Sequence, residues 1–551
     1  MKGTNIGRFL CALTVTSILA ACGHKKAPQK AIVQDIKELQ EAIPENIADR
    51  VGYMADNNGV MEDSVHSMTT AVQYFYAQHN NAPQWSENGT ANAGADSMLY
   101  MVQHALDAGL SPAQYHSGQL TAALQQVKTN DTARKDAALW AKVDVMLTDA
   151  FMKMATHLHY GVAPRDSVTL RPDSAFTDTA LNALLQQALA QKNITAALQR
   201  LEPAHAGYQA LKQSLRSFRE KYAGLHWDTI PENYTDTAAF KQLLLNRLVQ
   251  GAFLDTTGHA GDTSLLKTGI KAFQREFNLY PDGVAGKKTR QMLNRSLYDW
   301  EVQVAVNLDR WRKLPDTLPV RYLMVNLPAF EMQVIDSGKV AVASRVIVGK
   351  PNTRTPLLNS RMTNFVMFPY WSVPYSIVFK EMLPAIRRNV NYLAEKNLEV
   401  IDRYGNAVDP DSIDWTKLHR GHFPYVLRQM DGEDNSLGII KFNFMNKYSV
   451  YLHDTNARGL FGNAYRALSH GCVRVQQWDS LAMYLIKGDP QRNLRDSVRY
   501  WLASQEKKQV NFTRRIPIYI RYFSATGEGQ RLVFHEDIYG EDRSLRKQIG
   551  L

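Results

Sequence analysis

The stretch from His453 to Arg474, HDTNARGLFGNAYRALSHGCVR, sets an imidazole and a thiol within one short segment. A thiol attacks an acyl carbon as its thiolate, so Cys472 needs either a lowered pKa or a base beside it. His453 is the candidate base. Sulfur that takes the acyl group of an amide expels an amine, and the acyl group then passes to a second amine or to water. The tetrahedral oxyanion needs donors already in place, and a glycine immediately before the nucleophile lets backbone N–H groups approach it. The amides of Gly471 and Cys472 are the expected donors. His470 competes with His453 as base but lies only two residues from Cys472.

The elements that must position these groups read as strands. Tyr448 to Leu452 alternates and leads into His453, and Val473 and Val475 follow the Ser-His-Gly turn before Cys472, so two strand ends would bring imidazole and sulfur together. Upstream, Val320-Tyr322-Met324-Asn326, Met332-Val334, Val340-Val342 and the run Arg345 to Gly349 also read as strands. Phe365-Val366-Met367 and Trp371 to Pro374 look like a strand entering a loop. Between Ser376 and Asn435 the pattern turns helical and charged, a long insertion of the kind that forms lids or binding loops. Asp409, Asp411 and Asp414 cluster there, but DPDSID reads as a turn with a helix start, and acyl transfer to a thiol requires no metal. No metal and no cofactor is expected. Trp371 and Tyr451 are candidate pocket walls, although a single aromatic is by default a core residue.

The chain ahead of this region has helical periodicity. Apolar residues recur at three and four spacing in Met98-Leu99-Met101-Val102-Ala105-Leu106 and in Leu139-Val143-Val145-Met146-Leu147-Phe151, with helix stops expected at Gly109 and Gly161. His157 and His159 stand two apart on a helix and face different ways, which favours packing over a metal pair. Residues from Phe240 to Ser296 form a second unit, with helical spacing at Leu266, Ile270, Phe273 and Phe277, the turn Pro281-Asp282-Gly283, and a further helix from Lys288. Asp299 to Leu314 is a connecting helix stopped by Pro315.

At 551 residues the chain is long enough for about three or four domains. Hydrophobic residues at 45% and charged residues at 21% are ordinary globular proportions, which excludes a disordered or fibrous chain. The net charge of +11 suits an anionic polymer or simply a solvated basic surface. No segment combines dense Lys/Arg with the aromatic pattern of a nucleic-acid module, so no nucleic-acid partner is expected. Lys2 and Arg8 precede an apolar run from Phe9 to Ala21 that is too short to span a membrane and reads as a secretory signal. Of three cysteines, Cys11 lies in that signal and Cys22 at its end, so Cys472 has no partner for an internal disulfide. A lone thiol in an oxidising compartment is a liability unless it has a use.

Leu19-Ala20-Ala21-Cys22 resembles the bacterial lipobox, which implies cleavage before Cys22, lipidation of that cysteine and a membrane tether through GHKKAPQKA. Tyr451-Leu452-His453-Asp454-Thr455 followed by Ser469-His470-Gly471-Cys472-Val473-Arg474 resembles the HxT…[ST]HGCxR signature of YkuD-type L,D-transpeptidases. Asn307 to Arg312, Val325 to Phe330, Arg345 to Lys350 and Trp371 to Pro374 look like the large multidomain subgroup. FYAQHNNAPQWS, ALDAGLSPAQYH and VDVMLTDAFMKMATHLHYGVAP resemble its scaffold domain. Phe273-Gln274 and Asp282 to Thr289 resemble a three-helix peptidoglycan-binding domain. Smaller members of the family often carry Gly where Asp454 stands, so a charge beside the base is expected to tune it.

The resemblance implies a multidomain α+β protein: a signal peptide over 1–21, a tether over 22–34, a mainly helical scaffold over 35–235 and a peptidoglycan-binding-like unit over 240–297. A connecting helix over 298–318 then leads to a β-rich catalytic domain over 319–505, with a helical lid at 376–435, and C-terminal strands and tail follow over 506–551. It implies Cys472 as nucleophile, His453 as base, with a backbone carbonyl to orient the imidazole, and His470 and Ser469 as residues of the turn. Arg474 would contact a carboxylate of the substrate or form a structural ion pair. The expected reaction cuts the bond between diaminopimelate and D-alanine in a tetrapeptide stem of peptidoglycan and joins the acyl group to the side-chain amine of another stem. Carbapenems would acylate the same thiol. An L,D-carboxypeptidase and a non-catalytic wall-binding lipoprotein are the alternatives. The expected location is the periplasm, on a lipid anchor in the outer membrane.

Overall fold

The computed structural model describes residues 32–61, 64–172, 174, 176–254, 262–488 and 494–551. The expected signal segment, the lipidation site Cys22 and nearly all of the tether lie outside these residues. Among the described residues no helix is long and apolar enough to cross a membrane.

Two compact units divide the chain. One comprises the described residues up to Leu99 with Gly118–Lys153 and Asp178–Lys192; the other comprises Tyr100–Ser117, Met154–Thr177 and Asn193–Leu551. The helical stretch expected as one scaffold over 35–235 is therefore shared between two cores. The first unit is built from helices such as Ile36–Asp56, whose start is fixed by a reciprocal cap between Asp35 and Glu38. Leu39, Ile43, Ile47, Val51 and Met54 recur at helical spacing along it and are all buried. The buried carboxylate of Asp144 accepts from the Tyr76 hydroxyl and from the Trp85 amide, at 2.7 and 3.0 Å.

In the second unit, Gly109 and Gly161 take positive φ at the ends of helical segments, as their positions in the sequence suggested. His157 is 2.8 Å from the Tyr115 hydroxyl, a packing role. Over 240–297 stand the helices Thr237–Gln250, Thr263–Glu276 and Lys287–Leu293, whose apolar residues share one core with neighbouring elements. Gln274 ties its turn by donating to Asp282 at 2.7 Å and accepting from the Gly283 amide at 2.8 Å. The helix Leu297–Arg312 follows, with Trp300, Val304, Leu308 and Trp311 buried against the helix Ala206–Tyr222 and the C-terminal hairpin Ala525–Phe534.

The β-rich part is one sheet wrapped on itself. Along its main path its strands are β1 (Arg321–Asn326), β2 (Glu331–Asp336), β3 (Lys339–Gly349), β4 (Leu358–Met367), β5 (Ile440–Phe444), β6 (Leu452–His453), β7 (Val473–Val475), β8 (Lys508–Asn511) and β9 (Pro517–Arg521), and Ala467–Ser469 pairs with β3 off that path. The hydrogen-bonded path runs β5-β6-β7-β3-β2-β1-β9-β4-β8, and β5 also pairs with β4, which joins the ends. Only closure removes the exposed edges of a sheet. Leu323, Val325, Met332, Val334, Val346, Phe365, Phe442, Leu452, Val473 and Ile518 fill the interior. The boundary expected at 505/506 cuts this sheet: β8 pairs with Asn364–Met367, and β9 lies between β4 and β1. C-terminal strands that complete a barrel cannot be read from local periodicity, because their partners lie more than a hundred residues upstream.

The insertion is more than a helical lid. Leu398–Ile401, Ala407–Val408 and Val426–Gln429 join Trp371–Ser372 in a separate four-stranded sheet. Val378, Leu383, Ile386, Val400, Trp415 and Leu427 give it its own apolar core. Asp409 caps a short 3₁₀ turn, and Asp414 accepts from Thr416 at 2.5 Å, so both carboxylates serve local turns.

Candidate active site

Strands β6 and β7 run parallel, with Leu452 opposite Val473 and His453 opposite Arg474. The Val473 amide donates to the Tyr451 carbonyl at 3.1 Å, which sets Tyr451 beside Cys472. Side chains alternate along a strand, so Leu452 and Val473 enter the core while Tyr451, His453, Cys472 and Arg474 share the other face. Lys441 of β5 lies opposite His453 and joins that face. The two strand ends thus meet as expected, but in a register that sets Cys472 beside Tyr451 and Arg474 beside His453.

The thiol is half-buried. Its sulfur lies 3.9 Å from the Ser449 carbonyl. Burial pushes the thiol above its ordinary pKa, against hydrogen bonds from the Tyr451 amide and hydroxyl and against the charges of Lys441 and Arg474. Trp371, on the insertion's sheet, lies close enough to the Tyr451 hydroxyl to oppose the rise that burial gives its pKa.

His453 is buried. Burial is the main cause that brings its pKa down to about 3, helped by Arg474 and Lys441 and opposed by hydrogen bonds to the backbone of Asp454 and Leu437. Its Nδ1 is buried and has no hydrogen-bond partner among the described residues. A neutral imidazole offers one ring nitrogen as a lone pair, the form a general base requires. The orienting oxygen belongs to backbone. The Asp454 side chain is otherwise engaged: it is fully buried, accepts from Arg458 at 2.6 Å and from the Ile439 amide at 3.0 Å. Its charge is spent on the loop rather than on the imidazole.

Ser469, His470, Gly471 and Cys472 form a tied turn. The Ser469 hydroxyl donates to the Cys472 carbonyl at 2.6 Å and accepts from the Gly471 amide at 3.1 Å. Thr355 donates to the Gly471 carbonyl at 2.8 Å. The Gly471 amide is therefore occupied, and of the two expected oxyanion donors the Cys472 amide is the one without a bond among the described residues. Gly471 has φ +123°, while a Cβ there would meet nothing nearer than 3.5 Å. Conformation rather than space demands glycine. Gly471→Ala should cost about 1–3 kcal/mol, read as a lowered urea midpoint at unchanged slope.

His470 points away from the imidazole's role and pairs with Glu381 of the insertion at 2.7 Å. Glu381 and Lys441 gave no signal in the sequence. A lone lysine between Ile440 and Phe442 looked like the polar face of an ordinary strand, and Glu381 like the solvent side of a helix.

The model of the L,D-transpeptidase catalytic domain of the YkuD family matches residues 320–490, and that of the Scaffold domain matches residues 70–215. The chain joins a YkuD L,D-transpeptidase catalytic domain to a scaffold domain. A Haemophilus influenzae protein named "Putative L,D-transpeptidase" is 38% identical over 243 residues, 44% of this chain and 48% of that protein. The match thus spans about half the length of the relative. Within the YkuD domain fall Trp371, Lys441, Tyr451, His453 and the Ser469–Arg474 turn, together with the insertion that carries Glu381. Strands β8 and β9, which complete the barrel, lie beyond residue 490.

Proposed function

We propose that this chain is an L,D-transpeptidase that links two diaminopimelate residues of peptidoglycan stems through an acyl-enzyme on Cys472. The observation that carries the reading is the shared face of β6 and β7, where a half-buried thiol stands with a buried, neutral imidazole whose Nδ1 is unpartnered. His453 takes the thiol proton as sulfur attacks the carbonyl carbon of the donor bond, and the Cys472 amide holds the oxyanion. The C–N bond then breaks, His453 returns the proton to the departing D-alanine, and the thioester passes its acyl group to the side-chain amine of a second stem. The three-helix unit over 240–297 holds the glycan, and the chain is exported and anchored at Cys22.

Purified protein incubated with disaccharide-tetrapeptides tests the reaction by mass. Cross-linked dimers with released D-alanine are expected. Tripeptide monomers alone would make the enzyme a carboxypeptidase, and unchanged substrate would reduce it to a wall-binding protein.

The insertion closes over the acylated thiol, held at one point by Glu381 on His470. Hydrogen exchange should therefore slow across residues 376–435 when a carbapenem occupies Cys472. Equal exchange with and without the drug would leave the insertion a fixed wall.

A further inference from the structure

Two cations face the sulfur without a counter-charge. The Lys441 ammonium lies 4.1 Å from the centre of the Tyr451 ring, on the residue that touches Cys472. Arg474, opposite His453, has a buried Nε without a hydrogen-bond partner. Among the described residues neither forms an ion pair. The acids that come near are already taken, Asp454 by Arg458 and Glu381 by His470. A half-buried cation is costly unless an anion arrives to share it. A site with two such cations beside a nucleophile is built for a substrate that brings its own negative charge close to the attacked bond.

Chemistry limits what that charge can be. In a peptide, the carbon attacked by sulfur is joined through the amide nitrogen to the Cα of the leaving residue. If that residue is the last, its carboxylate lies within about 5 Å of the attacked carbon. If the chain continues, a neutral peptide group occupies the same place. We infer that Lys441 is a specificity-determining residue that, with Arg474, binds the α-carboxylate of the leaving amino acid and so restricts the donor to peptides with one residue beyond the cleaved bond. Arg474 stands opposite His453 on β7, and Lys441 stands opposite it on β5, beside the Tyr451 ring. The inference rests on the acyl-transfer reading of Cys472 for its substrate, but not for the anion site itself.

Two measurements on the full-length protein separate these. The first alkylates Cys472 with iodoacetate and with iodoacetamide and follows each by mass at that residue. Both reagents consume the same thiolate, so their rate ratio cancels any change in thiol acidity and reports only attraction of the reagent's carboxylate. The ratio should fall about tenfold in Lys441→Met and survive in Lys441→Arg. An unchanged ratio overturns the anion site. The second compares a tetrapeptide donor with the same donor ending in D-alaninamide. The wild type should prefer the free carboxylate by about thirtyfold in kcat/KM, mainly through KM, and Lys441→Met should lose most of that preference. Equal loss on both donors would make Lys441 structural and overturn the inference. If the wild type consumes neither donor, the transpeptidase reading fails while the alkylation ratio still decides the anion site.

Discussion

Cys472→Ala is expected to abolish D-alanine release from tetrapeptide donors and to remove the carbapenem mass adduct, while the melting temperature should stay within about 2 °C of the wild type. The effect on turnover is the largest expected for any substitution, because no second described thiol exists and the step that breaks the amide passes through sulfur. Stability is spared because the thiol is half-exposed and its carbonyl, not its sulfur, ties the turn to Ser469. Release assays and intact mass after carbapenem treatment check both halves. Residual turnover above background in the alanine variant would place the nucleophile elsewhere.

His453→Ala comes next, with a loss of about 10²–10⁴ in kcat. The wild-type pH dependence carries a sharper test of the same residue. An ordinary histidine titrates near 6.5, but His453 is brought down to about 3, so its neutral, basic form persists throughout mildly acidic solution. The acid limb of kcat/KM should therefore fall well below pH 6, and a limb near 6.5 would contradict the burial of this ring. Stability follows with a definite sign. Between about pH 6.5 and 3 the unfolded chain binds a proton at His453 that the folded chain refuses, so the folded state loses stability as pH falls through that window. In His453→Ala this part of the acid sensitivity disappears. Urea unfolding of both proteins at pH 7 and pH 4 measures the difference.

Much of this site could be read from the residues alone because its chemistry sits in a contiguous motif. His453 and Cys472 are nineteen positions apart on neighbouring strands, and their types already specify a base and a nucleophile. What escaped was set by pairing between distant strands. Lys441 acquires its place only through the β5–β6 register, and the Asp454 carboxylate is drawn away from the imidazole by Arg458 and Ile439. Gly471 looked like an open amide because the sequence does not say where the Ser469 hydroxyl will turn. The fold shows the same division. Helix stops at Gly109 and Gly161 are local events, whereas barrel closure by β4 and β5 and the late return of β9 between β4 and β1 are long-range pairings that periodicity does not encode.

The proximity of Trp371 to the Tyr451 hydroxyl couples two bodies with separate cores. Trp371 belongs to the four-stranded sheet of the insertion, with its own core, while Tyr451 leads into β6 of the barrel. Any tilt of that small sheet changes the donor offered to the phenol, and the phenol in turn changes how firmly the sulfur is solvated. The nucleophile is thus sensitive to a domain that contributes no atom to the reaction. Substitutions buried around Val400 or Leu427, far from any substrate, would then register as altered thiol acidity before they register as altered binding.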